Sequence, residues 1–163
     1  IDFLIELFKL AKKEGVNTCI DTSGGNFTRE EPFFSKFNEL MKYTDLLLLD
    51  IKHINDQEHR ELTGRSNANI LDMARYLSDI EKPVWIRHVL VPGITDKDEY
   101  LMELDKFISS LKNVKKVEVL PYHTLGTFKW EELNIPYQLE GVNPPSSERV
   151  ENANKILHTD KYK

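Results

Sequence analysis

Four short segments carry side chains able to do chemistry: Asp21-Thr22, Asp50-Ile51-Lys52, Arg87 and His123. Asp50 and Lys52 are two apart, so on extended backbone their side chains project to the same side. If the strands carrying Asp21 and Asp50 are neighbours, the two carboxylates fall roughly 5 Å apart. Two partly shielded carboxylates at that distance repel, and one protonates unless a cation compensates. Lys52 is one available cation; a bound metal ion or a positively charged ligand is another. The chemistry predicted is therefore the seating of a small ligand bearing charges of both signs.

Each residue also has a structural explanation. Asp21-Thr22 can cap a helix or turn, and Asp50 with Lys52 can be a local ion pair. Arg87 can be an interior arginine paired with an acid, and His123 a loop histidine bonded to backbone. His53, His59, His88 and His158 show no metal-binding spacing and read as structural or solvated. Cys19 reads as a small core residue. Gly24-Gly25-Asn26 is a turn signal rather than a phosphate loop. Thr127, Phe128 and Trp130 read either as a binding lip or as loop packing.

The elements that must position these groups follow from apolar periodicity. Phe3, Leu4, Leu7, Phe8, Leu10 and Ala11 share a helical face, and Gly15 stands where a helix ends. Val16 to Thr22 reads as a strand, and residues 30 to 43 as a helix with Phe33, Phe34, Phe37, Leu40 and Met41 inward. Leu46-Leu47-Leu48-Leu49 reads as a strand buried on both faces. Ile70, Met73, Ala74 and Leu77 mark a helix, followed by a strand from Val84 to Val91 and the stop Pro92-Gly93. Thr95 with Asp98 resembles a capping box for a helix through Leu101, Leu104, Phe107, Ile108 and Leu111. Val117 to Leu120 is a fourth strand. After a loop to Pro145, Ser146 or Ser147 caps a helix carrying Val150, Ala153, Ile156 and Leu157. Strands alternating with helices predict an α/β fold with about four parallel strands. In such folds ligands bind at the carboxyl ends of the strands, where the charged groups lie.

Length and composition set the outer bounds. A chain of 163 residues predicts one domain over residues 1–163. A net charge of −5 argues against nucleic-acid binding, and no apolar run reaches the roughly 18 to 20 residues that span a bilayer. The single cysteine, Cys19, forbids an internal disulfide and predicts a reducing compartment, the cytoplasm. No signal peptide is visible, and a start at Ile1 inside a periodic segment predicts a chain cut from something longer.

Several blocks in order resemble the pyruvate formate-lyase activating enzymes, a radical S-adenosylmethionine family. They are Thr18-Cys19-Ile20-Asp21-Thr22-Ser23-Gly24, Leu48-Leu49-Asp50-Ile51-Lys52, Val84-Trp85-Ile86-Arg87 through Val91-Pro92-Gly93, and Leu120-Pro121-Tyr122-His123-Thr124-Leu125-Gly126. Lys129-Trp130 and Gly141-Val142-Asn143-Pro144-Pro145 extend the match along almost the whole chain. The resemblance implies part of a partial (β/α) barrel, with the four strands corresponding to the family's third to sixth. The family's CxxxCxxC loop, which holds a 4Fe-4S cluster, and its Gly-Gly-Glu segment do not occur in this sequence.

By the same resemblance, Asp21, Asp50, Lys52 and His123 contact S-adenosylmethionine, with Lys52 near its carboxylate. Arg87 matches an arginine that points into the barrel and joins the cofactor-binding set, and Asp21, Thr22 and Asp50 resemble a monovalent-cation site. No catalytic residue of the family falls within this sequence. The implied protein partner is a glycyl-radical enzyme of the pyruvate formate-lyase type, with flavodoxin or ferredoxin as electron donor. The resemblance also implies that the chain alone is inactive. Baring the Val16–Thr22 edge predicts self-association. Two other readings stay open: an aldolase-type lyase using Lys52 for a Schiff base, and a non-catalytic binding module.

Overall fold

A computed structural model describes residues 1–162. Its elements run α1 (Asp2–Lys13), β1 (Cys19–Thr22), α2 (Phe33–Lys42), β2 (Leu46–Asp50), α3 (Asp56–Thr63) and α4 (Ala68–Asp79). They continue with β3 (Val84–Leu90), α5 (Asp98–Ser109), β4 (Val114–Pro121), α6 (Thr127–Glu132) and α7 (Ser147–Ile156), then a short 3-10 turn at Thr159–Lys161. The strands form one parallel sheet in the order β1-β2-β3-β4. The α/β expectation holds, and each strand pairs with the next in sequence.

The two faces of the sheet differ. Leu47, Leu49, Val84, Ile86 and Leu90 have no exposed surface, and they join Leu77, Leu101, Ile108 and Leu157 in one core between sheet and helices. The alternate residues, Leu46, Leu48, Asp50, Trp85, Arg87 and Val89, are only half-buried. The four-leucine run is therefore not buried on both faces: one side packs on helices, and the other lines an open concavity. Continuous leucine hides this, because period-2 alternation needs a polar partner to be seen.

Local chemistry moves several boundaries. β1 starts at Cys19, three residues later than Val16, which is exposed just past Gly15 (φ +71°). Thr18 is held instead by Asp45, whose carboxylate accepts from the Thr18 amide at 2.8 Å. α2 begins after Pro32, since the residue before a proline disfavours helix. α3 is short of apolar signal, with only His59 buried, and is made by its ends. The Asn55 side chain accepts from the Gln57 and Glu58 amides, and Gly64 takes the left-handed conformation (φ 76°).

Thr95 is no helix cap. Its hydroxyl donates to the Val89 carbonyl at 2.6 Å and accepts from the Val91 amide at 2.8 Å, so it fastens a loop to β3. Ser146 does cap α7, accepting from the Arg149 amide at 3.2 Å. Cys19 is exposed, on the concave face of a strand with one neighbour, and is not a core residue.

Candidate functional site at the strand carboxyl ends

Register decides what meets on the concave face. Asp50 stands opposite Arg87, whereas Asp21 stands opposite Leu48. The two carboxylates are thus diagonal rather than face to face, because β1 ends at Thr22, opposite Leu49. The cation that lies between both carboxylates is the arginine. Arg87 Nη1 donates to Asp21 Oδ2 at 2.7 Å, and Arg87 Nε lies 3.7 Å from Asp50 Oδ1. Lys52 Nζ donates to Asp50 Oδ2 at 2.7 Å. Asp21, Arg87, Asp50 and Lys52 form one chain of alternating charge that spans three strands and sums to zero. The expected repulsion is relieved by Arg87 as well as by Lys52.

The members differ in exposure, and this sets their strengths. The Asp50 and Arg87 side chains are 18 % and 23 % exposed, against 60 % for Asp21. The Asp21–Arg87 contact is half in water and contributes little to stability on its own. It still raises the Arg87 guanidinium above its ordinary range, against an opposing effect of burial, with Asp50 assisting. Asp50 Oδ1 and Arg87 Nε are both buried without a hydrogen bond, since 3.7 Å is too long for one. Buried polar atoms without partners are costly and uncommon. This pair faces the open concavity.

Further along the same face lie residues that reading the sequence did not select. Lys116 stands opposite Trp85, and Glu118 opposite Arg87. Lys116 Nζ donates to Glu118 Oε1 at 2.6 Å and lies 4.5 Å from the centre of the Trp85 ring. Stepping by two from Arg87 and Lys116 would have found them, had the pairing of β3 with β4 been known.

His123 follows β4, whose end is tied to β3 by the Tyr122 amide donating to the Leu90 carbonyl at 3.1 Å. It is exposed, and among the described residues it makes no hydrogen bond, so backbone pairing does not explain it. It sits at the same end of the sheet as the charged chain but outside it. The Thr22 hydroxyl accepts from the Gly24 amide at 3.0 Å, and its side chain lies on the opposite face from Asp21. Thr22 can therefore join a cation site with Asp21 and Asp50 only through its main-chain oxygen. Among the described residues, no group of three or more His, Cys, Asp or Glu side chains is placed to hold a metal ion. Phe128 and Trp130 keep 51 % and 38 % of their surface, so loop packing covers them only in part.

Lys52 is a poor Schiff-base nucleophile in this setting. Its amine is engaged by a carboxylate at 2.7 Å and must leave that contact before attacking a carbonyl.

A half-exposed, charged concave face at the carboxyl ends of parallel strands, backed by helices, defines an α/β partial barrel with a site for a charged small molecule. The Radical SAM superfamily model matches residues 1–104, and the chain belongs to that superfamily. It is 57 % identical over 162 residues to the pyruvate formate-lyase-activating enzyme of Streptococcus mutans, covering 99 % of this chain and 62 % of that protein. It is 56 % identical over 163 residues to the enzyme of that name from Listeria monocytogenes, covering 100 % of this chain and 66 % of the relative. The chain thus spans just under two thirds of the length of these relatives.

Among solved structures, a domain of pyruvate-formate lyase-activating enzyme from Bacteroides vulgatus superposes with a TM-score of 0.78. The identity is 23 %, over 99 % of this chain and 88 % of the other. A radical SAM methyltransferase from Sphaerobacter thermophilus gives a TM-score of 0.58 at 20 % identity, over 89 % of this chain and 39 % of that one. These two likenesses establish the fold. No helix among the described residues is long and apolar enough to cross a membrane.

The superfamily uses S-adenosylmethionine with a 4Fe-4S cluster. The residues present fit the first: the unpartnered Asp50 Oδ1 and Arg87 Nε, beside the Lys52 ammonium, match a ligand with both an amine and a carboxylate. They do not fit the second. A cluster of this kind needs three cysteine thiolates, and this sequence has Cys19 alone.

Proposed function

We propose that the concave rim seats S-adenosylmethionine, and that the whole protein carrying this chain is a glycyl-radical-enzyme activase of the pyruvate formate-lyase type. The observation that carries the reading is the facing pair Asp50 Oδ1 and Arg87 Nε, buried and without hydrogen bonds at the mouth of the sheet. In the proposed site Lys52 neutralises the ligand carboxylate, Asp50 and Asp21 face its cationic groups, and His123 closes the rim from the end of β4. Asp21, Asp50 and the Thr22 main chain hold a monovalent cation beside the carboxylate.

When bound, S-adenosylmethionine would supply the 5′-deoxyadenosyl group as the hydrogen-abstracting radical, with methionine as the other product. The residues of this chain orient the ligand and balance its charge. Arg87 stands between the two carboxylates and balances their charge, and the helix-backed core holds the strands that carry them.

The protein substrate is a glycyl-radical enzyme that gives up a hydrogen from a glycine Cα, with flavodoxin or ferredoxin as reductant. The names of the relatives support this partner, and the half-exposed concave face provides room for a loop of it. Residues 1–163 act as one domain, and this domain self-associates through its edge. Supporting the last point, β1 has among the described residues a neighbour on one side only, and α1 exposes Phe3, Leu7 and Leu10 along one stripe.

Calorimetric titration of S-adenosylmethionine into the chain, with Lys52→Ala and Asp50→Asn alongside, tests the site. Saturable binding weakened at least about tenfold by either change is expected, and equal affinity in all three removes the reading. The chain with S-adenosylmethionine and dithionite should yield no 5′-deoxyadenosine. The full-length protein, reconstituted with iron and sulfide, should generate a glycyl radical on pyruvate formate-lyase, read by electron paramagnetic resonance.

A further inference from the structure

His88 sits on the core side of β3, 3 % exposed, and both of its ring nitrogens meet main-chain oxygens. Nδ1 lies 2.9 Å from the Ile51 carbonyl, and Nε2 lies 3.1 Å from the Thr95 carbonyl. Ile51 is the residue between Asp50 and Lys52, and it is the first residue beyond β2. Its amide continues the sheet pattern by donating to the Arg87 carbonyl at 3.0 Å. The next step of a parallel ladder would bring a β3 amide to the Ile51 carbonyl. In its place stands the imidazole.

We infer that His88 is the positioning residue of the S-adenosylmethionine site: its ring fixes the Ile51 carbonyl and so sets the directions of the Asp50 and Lys52 side chains. The inference rests on the ligand reading proposed above. Ile51 is pinned from both sides, by the Arg87 carbonyl and the His88 ring, and its side chain is buried at 1 % exposure. With the middle residue fixed, Asp50 and Lys52 have few ways to point, and their 2.7 Å contact follows.

The second ring nitrogen extends the same control. Thr95 is bound to β3 by its hydroxyl, at the Val89 carbonyl and the Val91 amide, and its own carbonyl meets His88 Nε2. One histidine thus ties the β2–α3 and β3–α5 connections to each other through β3. A ring buried this deeply resists protonation, and burial lowers its pKa. A neutral imidazole donates through one nitrogen only. The assignment puts that proton on Nδ1, at the shorter of the two contacts, where it donates to the Ile51 carbonyl.

The test compares His88→Leu, which keeps apolar bulk without a donor, with His88→Gln, which restores an N–H. Val84→Ala, a core change on the same strand away from both loops, controls for lost stability. S-adenosylmethionine affinity is read by calorimetric titration, global stability by melting temperature, and the Ile51 amide by hydrogen exchange. Expected is binding about tenfold weaker in His88→Leu and within about threefold of wild type in His88→Gln. Ile51 exchange should rise in the leucine variant beyond any change in Val84→Ala. Wild-type affinity in His88→Leu, or equal losses in both His88 variants that track melting temperature as in Val84→Ala, would overturn the assignment. If wild type itself binds no S-adenosylmethionine, the ligand reading fails. The pinning of Ile51 is then decided by hydrogen exchange alone, with unchanged Ile51 protection in His88→Leu refuting it.

Discussion

Asp50 and Arg87 are direct partners in the β2–β3 register, yet their facing atoms, Oδ1 and Nε, stand 3.7 Å apart without a hydrogen bond. Each is engaged elsewhere, Asp50 by Lys52 and Arg87 by Asp21. Both facing atoms are buried, so the gap between them is closed to solvent.

Removing the arginine should therefore do more than delete a surface ion pair. Arg87→Met strips the cation opposite Asp50 and, among the described residues, the one side chain that hydrogen-bonds Asp21. A loss of about 1–3 kcal/mol in chemical denaturation is expected, because Asp21 loses its partner and Asp50 keeps Lys52 alone. S-adenosylmethionine binding should fall in parallel. Asp21→Asn, at the more exposed end, should cost no more than about 1 kcal/mol.

Gly24 packs the turn after β1 against the core. Its φ is +67°, and a Cβ there would lie 3.1 Å from Leu49 Cδ1 and 3.1 Å from Met73 Sδ. Gly24→Ala combines backbone strain with crowding, and a destabilisation of about 1–3 kcal/mol is expected from urea unfolding. Gly15→Ala, with nothing within 4 Å, should show the backbone cost alone.

Acid sensitivity should centre on Asp56. Its carboxylate accepts from the Ser66 hydroxyl, the Arg60 guanidinium and the Asn67 amide, which hold its pKa down at about 2. A folded-state pKa below the unfolded value gives stability that is complete above the ordinary carboxylate range and is lost as pH falls toward about 2. Asp56→Asn should flatten this part of the melting-temperature profile between about pH 4 and 2 while leaving the neutral region parallel to wild type.

Residues 1–163 should unfold as one unit if they are one domain. Far-ultraviolet circular dichroism and tryptophan fluorescence, from Trp85 on the sheet and Trp130 near the rim, should report coincident transitions. Leu77→Ala, at a site with no exposed surface, should shift both together by about 2–5 kcal/mol. Separate midpoints would show two units.

Light scattering across concentrations tests self-association through the β1 edge. Mass should grow with concentration and return to the monomer on Phe3→Lys with Leu7→Lys. A monomer throughout would remove that proposal.

How much could be read in advance depended on how local each feature is. The Asp50–Lys52 pair is written in a two-residue spacing, and the 2.7 Å contact follows from the alternation of a strand. The helices of residues 2–13 and 98–109 follow from apolar residues three and four apart, and the Ser146 cap from residue type. α3 escaped because its ends, Asn55 and Gly64, form it while its apolar content is low.

What tertiary structure alone decided was distance across the chain. Asp21 and Arg87 are 66 positions apart, and only the ordering β1-β2-β3 and its register bring them to 2.7 Å. The same folding turned Cys19 outward, divided the leucine run into a buried and an open side, and pressed His88 against Ile51 and Thr95. Periodicity along one strand says which side chains share a face. It carries no information on how far one strand slides against the next, and that slide sets every cross-strand contact in the site.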